Sequence, residues 1–319
     1  MRIGTRRSAL ALAQASLIAE QLAAVGQQDC EIVPMSTRGD LRPASGEPGE
    51  GGEDSDKSRW VSELEQALGT GEIDLAVHSA KDVPGELAAG LALLGAPARA
   101  GAEDVLCGAA TLAELPAHAR VGTSSIRRLA QLRAAREDLD VIPIRGNVDT
   151  RLRKLAASSS EGEGEEAGER LTAIVLARAG LQRLGREDAI GGVLDAGRFV
   201  PAPGQGIIAL EGRAEDAAAR AAAEAINDKD AFACLLAERA LARALDASCH
   251  TPLGAYAAPA GCGCLLLRAW VGLPDGSAWV SDELLGGFYD PEALGRRVAE
   301  RLLAVGAGEM LARAEEMAG

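Results

Sequence analysis

Ile73-Asp74-Leu75-Ala76-Val77-His78-Ser79-Ala80-Lys81-Asp82-Val83-Pro84 begins apolar and ends polar. Its first five residues form a run long enough for a buried strand. Pro84 forbids a central strand beyond that point and pushes Val83 toward an extended conformation. The chain therefore leaves a sheet edge carrying Ser79, Lys81 and Asp82 together. In open α/β sheets such strand ends are where ligands sit. A polar turn with no further role is the plainer reading, and the rest of the chain decides between the two.

Upstream, Met1 to Gly4 reads as a short strand, and Ser8 as the N-cap of an Ala/Leu/Ile helix that stops at Gly26. Arg6 and Arg7 stand just before that helix, where cations oppose the macrodipole. They are either solvated or part of an anion site. Glu31 to Thr37 reads as the next strand, ended by Thr37-Arg38-Gly39-Asp40. Downstream, Gly122-Thr123-Ser124-Ser125-Ile126-Arg127-Arg128 repeats the arrangement, with a serine cap and two arginines in the first turn. Two such sites favour anion binding. Val141 to Ile144 then reads as a strand, and Arg145-Gly146-Asn147-Val148-Asp149-Thr150-Arg151 as a turn and helix start flanked by arginines.

The 319 residues imply two or three domains. A hydrophobic fraction of 47% and a mean hydropathy of +0.03 suit a soluble globular chain with a full core. Aromatics at 3% and a net charge of −14 argue against nucleic acid as partner. No apolar run approaches a membrane span. Thr5-Arg6-Arg7-Ser8 faintly resembles a twin-arginine export signal. Gln14, Ser16 and Glu20 interrupt the apolar part at helical spacing, which predicts an amphipathic helix and a cytoplasmic protein. The six cysteines (30, 107, 234, 249, 262 and 264) show no disulfide-framework pattern. Cys262-Gly263-Cys264 lacks a second pair or His cluster, so no metal is expected.

Residues 41–56 are Gly-, Pro- and acid-rich and read as a mobile surface loop that gates the site. Ser62 to Leu68 reads as a helix ending near Gly69 or Gly71. Residues 157–170 read as a solvated acidic insertion. Ala173 to Ala177 reads as a buried strand, Leu181 to Gly185 as a short helix, and Pro201 to Gly206 as a rigid turn able to act as a hinge before the strand Ile207 to Leu210. Two Ala/Leu-rich helices span 214–226 and 229–245. A loop at 246–254 holds Cys249. Leu265–Leu273 and Ala278–Leu285 form a hairpin around Pro274 to Ser277, and Pro291 to the end is helical. The last third thus reads as a small separate α+β domain.

Taken in order, Thr5–Ser8, Thr37–Asp40, His78–Pro84, Gly122–Arg128, Arg145–Arg151, Pro201–Gly206 and Cys249…Pro252-Leu253-Gly254 resemble the porphobilinogen deaminase (hydroxymethylbilane synthase) family. The resemblance runs from about Arg2 to the C-terminal helix. It implies an α/β chain with two periplasmic-binding-protein-like lobes, an active cleft between them, and a small C-terminal α+β domain. The corresponding division is 1–98 with a return segment 204–224, then 99–203, then 225–319. The implied enzyme is a cytoplasmic monomer of heme biosynthesis that joins four porphobilinogen molecules head to tail and releases ammonia. The partner expected is the small-molecule substrate, with no nucleic acid and no membrane. A dipyrromethane cofactor, covalent at Cys249, primes the chain.

The same resemblance assigns roles to residues. Asp82 is the catalytic carboxylate that protonates the leaving amine, faces the azafulvene cation and removes the ring proton. Cys249, Ser79, Lys81, Asp82, Thr123, Ser125, Arg127, Arg128, Arg145 and Gly146 contact the cofactor. Arg6, Ser8, Arg145, Arg151, Arg183 and Gln205 contact the substrate, with Gln205 also a hinge candidate. Arginine's planar fork suits the acetate and propionate of each pyrrole better than lysine does. The loop after Asp40 departs from the family pattern: Lys57 matches one of two usual lysines, and Glu53 stands near the place of the other. His250 reads as a loop residue. Two competing readings are a non-catalytic two-lobed binder of a small anion, which leaves Cys249 unexplained, and a DNA-binding regulator, which lacks a helix-turn-helix and has the wrong charge.

Overall fold

A computed structural model describes residues 1–27, 29–35, 53–159, 170–248, 251–261 and 263–318. Thr37–Asp40, the gating loop at 41–56, most of the insertion at 157–170, and Cys249, His250 and Cys262 fall wholly or largely outside that set. The chain divides into two compact units: residues 1–99 with 207–233, and residues 100–206 with 234–319.

In the first unit β1 (Arg2–Arg6) runs into α1 (Ala9–Ala24). Ser8 caps that helix by accepting from Ala11 N at 3.3 Å. Ala11, Ala15, Ile18 and Leu22 recur at helical spacing and bury the inner face. Gly26, at φ +95°, ends the helix in a conformation that glycine adopts without penalty. Then come β2 (Glu31–Met35), α2 (Glu53–Thr70), β3 (Leu75–Ser79) and β4 (Leu91–Gly95).

The second unit starts with β5 (Asp104–Cys107), β6 (Arg120–Gly122), α3 (Ile126–Ala135), β7 (Asp140–Ile142) and α4 (Val148–Ser159). It continues through β8 (Leu171–Ala177), α5 (Arg178–Arg183) and β9 (Gly192–Val193). The chain returns to the first unit as β10 (Ile208–Arg213) and α6 (Ala217–Ala225). After α7 (Lys229–Ala244) it closes the second unit with β11 (Leu253–Pro259), β12 (Cys264–Gly272), β13 (Trp279–Gly287), α8 (Pro291–Ala304) and α9 (Ala307–Ala318).

The two large sheets share one plan. Their strand orders are β2-β1-β3-β10-β4 and β7-β6-β8-β5-β9. In each, three neighbouring strands are parallel and the fourth is antiparallel. The antiparallel strand is the last to arrive in the first sheet and the first to form in the second. The inner parallel strands β3 and β8 read as near-continuous apolar runs because they are largely buried on both faces. β11, β12 and β13 form an antiparallel meander, with α8 laying Leu294, Val298 and Leu302 against it. The expected α/β lobes and small α+β domain are therefore all present. The C-terminal helix differs from expectation: Val305 and Gly306, the latter at φ +95°, split it into two.

Candidate active site

Most of the sequence-predicted site residues follow the C-terminal ends of parallel strands, β1 and β3 in the first unit and β6 and β7 in the second; Arg183 at the end of α5 and Gln205 before β10 do not, and Cys249 lies outside the described residues. In the first unit Thr5 is fully buried, and its hydroxyl donates to Ala11 O at 3.2 Å, fixing the turn that carries Arg6 and Ser8. β3 ends at Ser79, and Ala80–Asp82 wind into a single tight turn closed by Val83 N donating to Ala80 O at 3.2 Å. Ala80 N donates to Ile207 O at 3.0 Å, so β10 pins that turn as well. The Ser79 hydroxyl lies 2.9 Å from Gln14 Nε2 and 3.1 Å from its Oε1. Arg6, Ser8, Gln14, His78, Ser79 and Asp82 line one cavity of about 70 Å³. An acid and a guanidinium thus share a small pocket with three hydroxyl or amide groups. Lys81 is exposed on the same turn.

The second unit holds the other arginines. Ser125 caps α3 by accepting from Arg128 N at 3.4 Å, and Thr123 Oγ1 accepts from Ser125 N at 3.2 Å. The two arginines of that first turn do not point to solvent. Arg127 Nη1 donates to Asp104 Oδ2 at 2.8 Å and to Val200 O at 2.9 Å. Arg128 gives Nε and Nη2 to Asp104 Oδ1, at 2.9 and 2.7 Å, and Nη1 to Val175 O at 3.1 Å. Gln205 Nε2, 2.9 Å from Oδ1, is the fourth donor to the Asp104 carboxylate. The two guanidiniums hold the wholly buried Asp104 carboxyl well below the usual carboxylate range, against the desolvation that opposes them. Burial lowers Arg127 in turn.

Sequence reasoning missed Asp104. It offers no local signal beyond an acid at the head of the apolar run Val105–Cys107. One carboxylate faces two guanidiniums, so the cluster keeps one unbalanced positive charge. Both hydrogen bonds of Arg127 leave from Nη1, and its Nε is buried with no hydrogen-bond partner among the described residues. An unsatisfied charged donor in a protein interior is costly. A ligand carboxylate on the Nε/Nη2 edge satisfies both the charge and the donor, so the chemistry of this cluster fits a carboxylate-bearing cofactor.

Arg145 and Gly146 form the turn into α4. Gly146, at φ +115°, would place a Cβ 2.7 Å from Thr150 Cγ2, so only glycine fits there. Asn147 caps the helix by accepting from Thr150 N at 2.9 Å. Arg151 Nε donates to Gly146 O at 2.7 Å, and Lys154 Nζ, which the sequence reading did not single out, donates to Arg145 O at 3.1 Å. The Arg145 side chain is exposed. Arg183 Nη2 donates to Gly206 O at 2.7 Å, and burial pushes its guanidinium down to about 10, still charged at neutral pH. Gln205 is buried behind the arginines, with Nε2 also donating to Ala102 O at 2.7 Å.

The flanks of Cys249 are well defined. Ser248 N donates to Thr251 Oγ1 at 2.8 Å, and Thr251 N to Ser248 O at 3.1 Å. β11, which follows, rests on the Pro201–Gly206 turn: Ala255 N donates to Pro201 O at 2.8 Å. Gly254 is required at that crossing, because a Cβ there would lie 2.7 Å from Val200 O.

Two family models match the chain. The porphobilinogen deaminase dipyrromethane cofactor binding domain covers residues 1–221, and the porphobilinogen deaminase C-terminal domain covers residues 232–304. The porphobilinogen deaminase of Xanthomonas euvesicatoria pv. vesicatoria is 45% identical over 318 residues, covering 98% of each chain. Those of Thiobacillus denitrificans and Roseiflexus castenholzii are each 42% identical, covering 98% of this chain and 97% and 98% of theirs. A TRAP periplasmic solute-binding protein from Desulfovibrio desulfuricans aligns over 70% of this chain and 74% of its own, with 10% identity and a TM-score of 0.36.

Proposed function

Because the chain belongs to the porphobilinogen deaminase family, we propose that it joins four porphobilinogen molecules into hydroxymethylbilane with release of ammonia, as a cytoplasmic monomer. Among the described residues no helix is long and apolar enough to cross a membrane. The domain division proposed is 1–98 with 204–224, 99–203, and 225–319. The dipyrromethane cofactor supplies, when bound, a nucleophilic pyrrole carbon at its free end. Its anchor in this proposal is Cys249, whose thiolate sulfur is a competent nucleophile toward an electrophilic carbon.

The observation that carries the reading is the pairing of Asp82 with Arg6 in one small pocket. A substrate carboxylate docks on Arg6, and its aminomethyl group then lies beside the Asp82 carboxyl. Asp82 gives a proton to the departing amine and, as the carboxylate, faces the cation left on the substrate. Arginines that bind the substrate disfavour that cation, and one carboxylate offsets them. After coupling, Asp82 takes the ring proton back. General acid–base action of this kind contributes about 10²–10⁴-fold.

Ser79, tied to Gln14, and Ser8, tied to the head of α1, orient the substrate. Thr123, Ser125, Arg127, Arg128, Arg145 and Gly146, with Ser79, Lys81 and Asp82, hold the cofactor. Arg145, Arg151 and Arg183 hold carboxylates of the growing chain. Gln205 supports Arg128 through Asp104.

The test is the intact mass of the purified protein beside a Cys249→Ala variant. A surplus of two pyrrole units, present in the parent and absent from the variant, is expected. A parent that gains no covalent pyrrole mass even after incubation with porphobilinogen would leave a binder and overturn the reading.

A further inference from the structure

Asp104 accepts four hydrogen bonds, and no step of the chemistry above uses it. It takes Nη1 of Arg127, the whole Nε/Nη2 edge of Arg128, and the amide of Gln205. Val200 O holds Arg127 Nη1 from a second direction, and Gln131 grips Val200 at both backbone atoms, at 2.7 and 2.9 Å. The Arg127 guanidinium is therefore fixed in plane and in rotation, with Phe199 at 5.9 Å from its Cζ. Its Nε/Nη2 edge is left over, and that edge presents the two parallel donors a carboxylate accepts in bidentate fashion.

We propose that Asp104 is a positioning residue that aims Arg127: by holding Nη1 it reserves the Nε/Nη2 edge for one carboxylate of the pyrrole chain. This rests on the reading of Arg127 as a cofactor contact. A carboxylate that only neutralised charge would act oppositely. Its removal would strengthen the pull on an anion, because the cluster would gain a positive charge. Removal of an aiming group weakens ligand binding, because a bidentate contact needs its geometry. The sign of the change separates the two roles.

The experiment uses full-length protein purified from cells unable to make porphobilinogen, incubated with graded porphobilinogen. Intact mass reports the concentration at half-maximal gain of the dipyrromethane mass. Asp104→Asn is expected to raise that concentration about tenfold, the cost of one charge-assisted hydrogen bond. Because two unbalanced buried guanidiniums could prevent folding, the same substitution is also made in an Arg128→Met background, which keeps one guanidinium against a neutral amide. There Asp104→Asn is again expected to raise the half-saturating concentration about tenfold relative to Arg128→Met alone. A fall or no change in that comparison overturns the proposal. So does a lower loaded fraction at unchanged half-saturation, which is what a purely structural role gives. Arg127→Met is the control: if it leaves half-saturation unmoved, the reading of Arg127 falls and the proposal with it. If it raises half-saturation while Asp104→Asn does not, only the role of Asp104 falls.

Discussion

Replacing His78 with leucine removes the imidazole whose Nε2 lies 2.8 Å from Glu211 Oε2. Glu211 has no accessible surface, and neither of its carboxyl oxygens has an aligned hydrogen-bond donor among the described residues. The contact is therefore one of ion-pair distance rather than a directed hydrogen bond. β3 and β10 run antiparallel, with His78 opposite Ala209 and Glu211 opposite Ala76, so the two side chains meet diagonally on one face of the sheet. Removing one partner leaves the other a buried polar group without its contact, at a cost of about 1–3 kcal/mol, whereas replacing both partners with apolar groups of the same shape is nearly neutral. We expect His78→Leu and Glu211→Leu each to lose about that amount and the double variant to return to within about 1 kcal/mol of the parent. A chain of two units need not unfold in one step, so the assay is native-state hydrogen exchange at the β3 and β10 amides. A loss of about 1–3 kcal/mol corresponds to a fall in protection of about fivefold to 150-fold. Unchanged protection in His78→Leu, or a double variant worse than either single one, would refute the reasoning. Because His78 also lines the pocket with Asp82, turnover by a well-folded double variant then reports what the imidazole adds to the chemistry.

Asp82→Asn is expected to fold and to bind substrate but to turn over at least about a hundredfold more slowly; near-normal turnover would remove Asp82 from its role. Gly254→Ala puts a Cβ 2.7 Å from Val200 O and 2.8 Å from Val200 Cβ. Overpacking of this kind costs about 1–3 kcal/mol, so amide exchange at Ala255 should rise while that of β3 stays unchanged. Equal protection at Ala255 in both proteins would show that the crossing is looser than the distances say. Burial pushes the Cys107 thiol up to about 11 from an ordinary 9. Raising the pKa of an acid on folding stabilises the fold fully below the unfolded value, and that contribution fades as pH rises from 9 toward 11. At pH 8 iodoacetamide should label the Cys107 peptide only after unfolding, which peptide mapping reads directly.

Local devices were legible in the sequence. Ser8 and Ser125 could be placed as caps because each hydroxyl bonds a backbone amide three residues on. The hairpin between β12 and β13 was legible because Asp275 and Gly276 carry their own turn chemistry. What stayed hidden depends on partners far along the chain. Asp104 meets Arg127 across 23 residues and Gln205 across 101. No periodicity encodes such a meeting, so the two arginines of α3 suggested an outside anion when one partner was the protein's own. Gln205 showed the converse: an amide suits a ligand contact and a buried clasp equally, and only burial tells them apart. β5 escaped because four residues are too short for a pattern, and β11 because its strand character comes from pairing with β12 rather than from its own Gly- and Ala-rich composition.

A chain with a net charge of −14 can hold a polyanion only where charge is counted locally. The stretches 41–56 and 157–170 each carry five acids against one arginine, so they supply eight of those fourteen charges. A buried guanidinium feels its immediate partners far more strongly, because the interior screens them less. At the α3 cluster those partners amount to one carboxylate for two arginines. The overall charge therefore says little about what that cluster attracts. The placement of Arg127 is set by Asp104, Val200 and Gln131, all of them within its own unit, rather than by the average field of the protein.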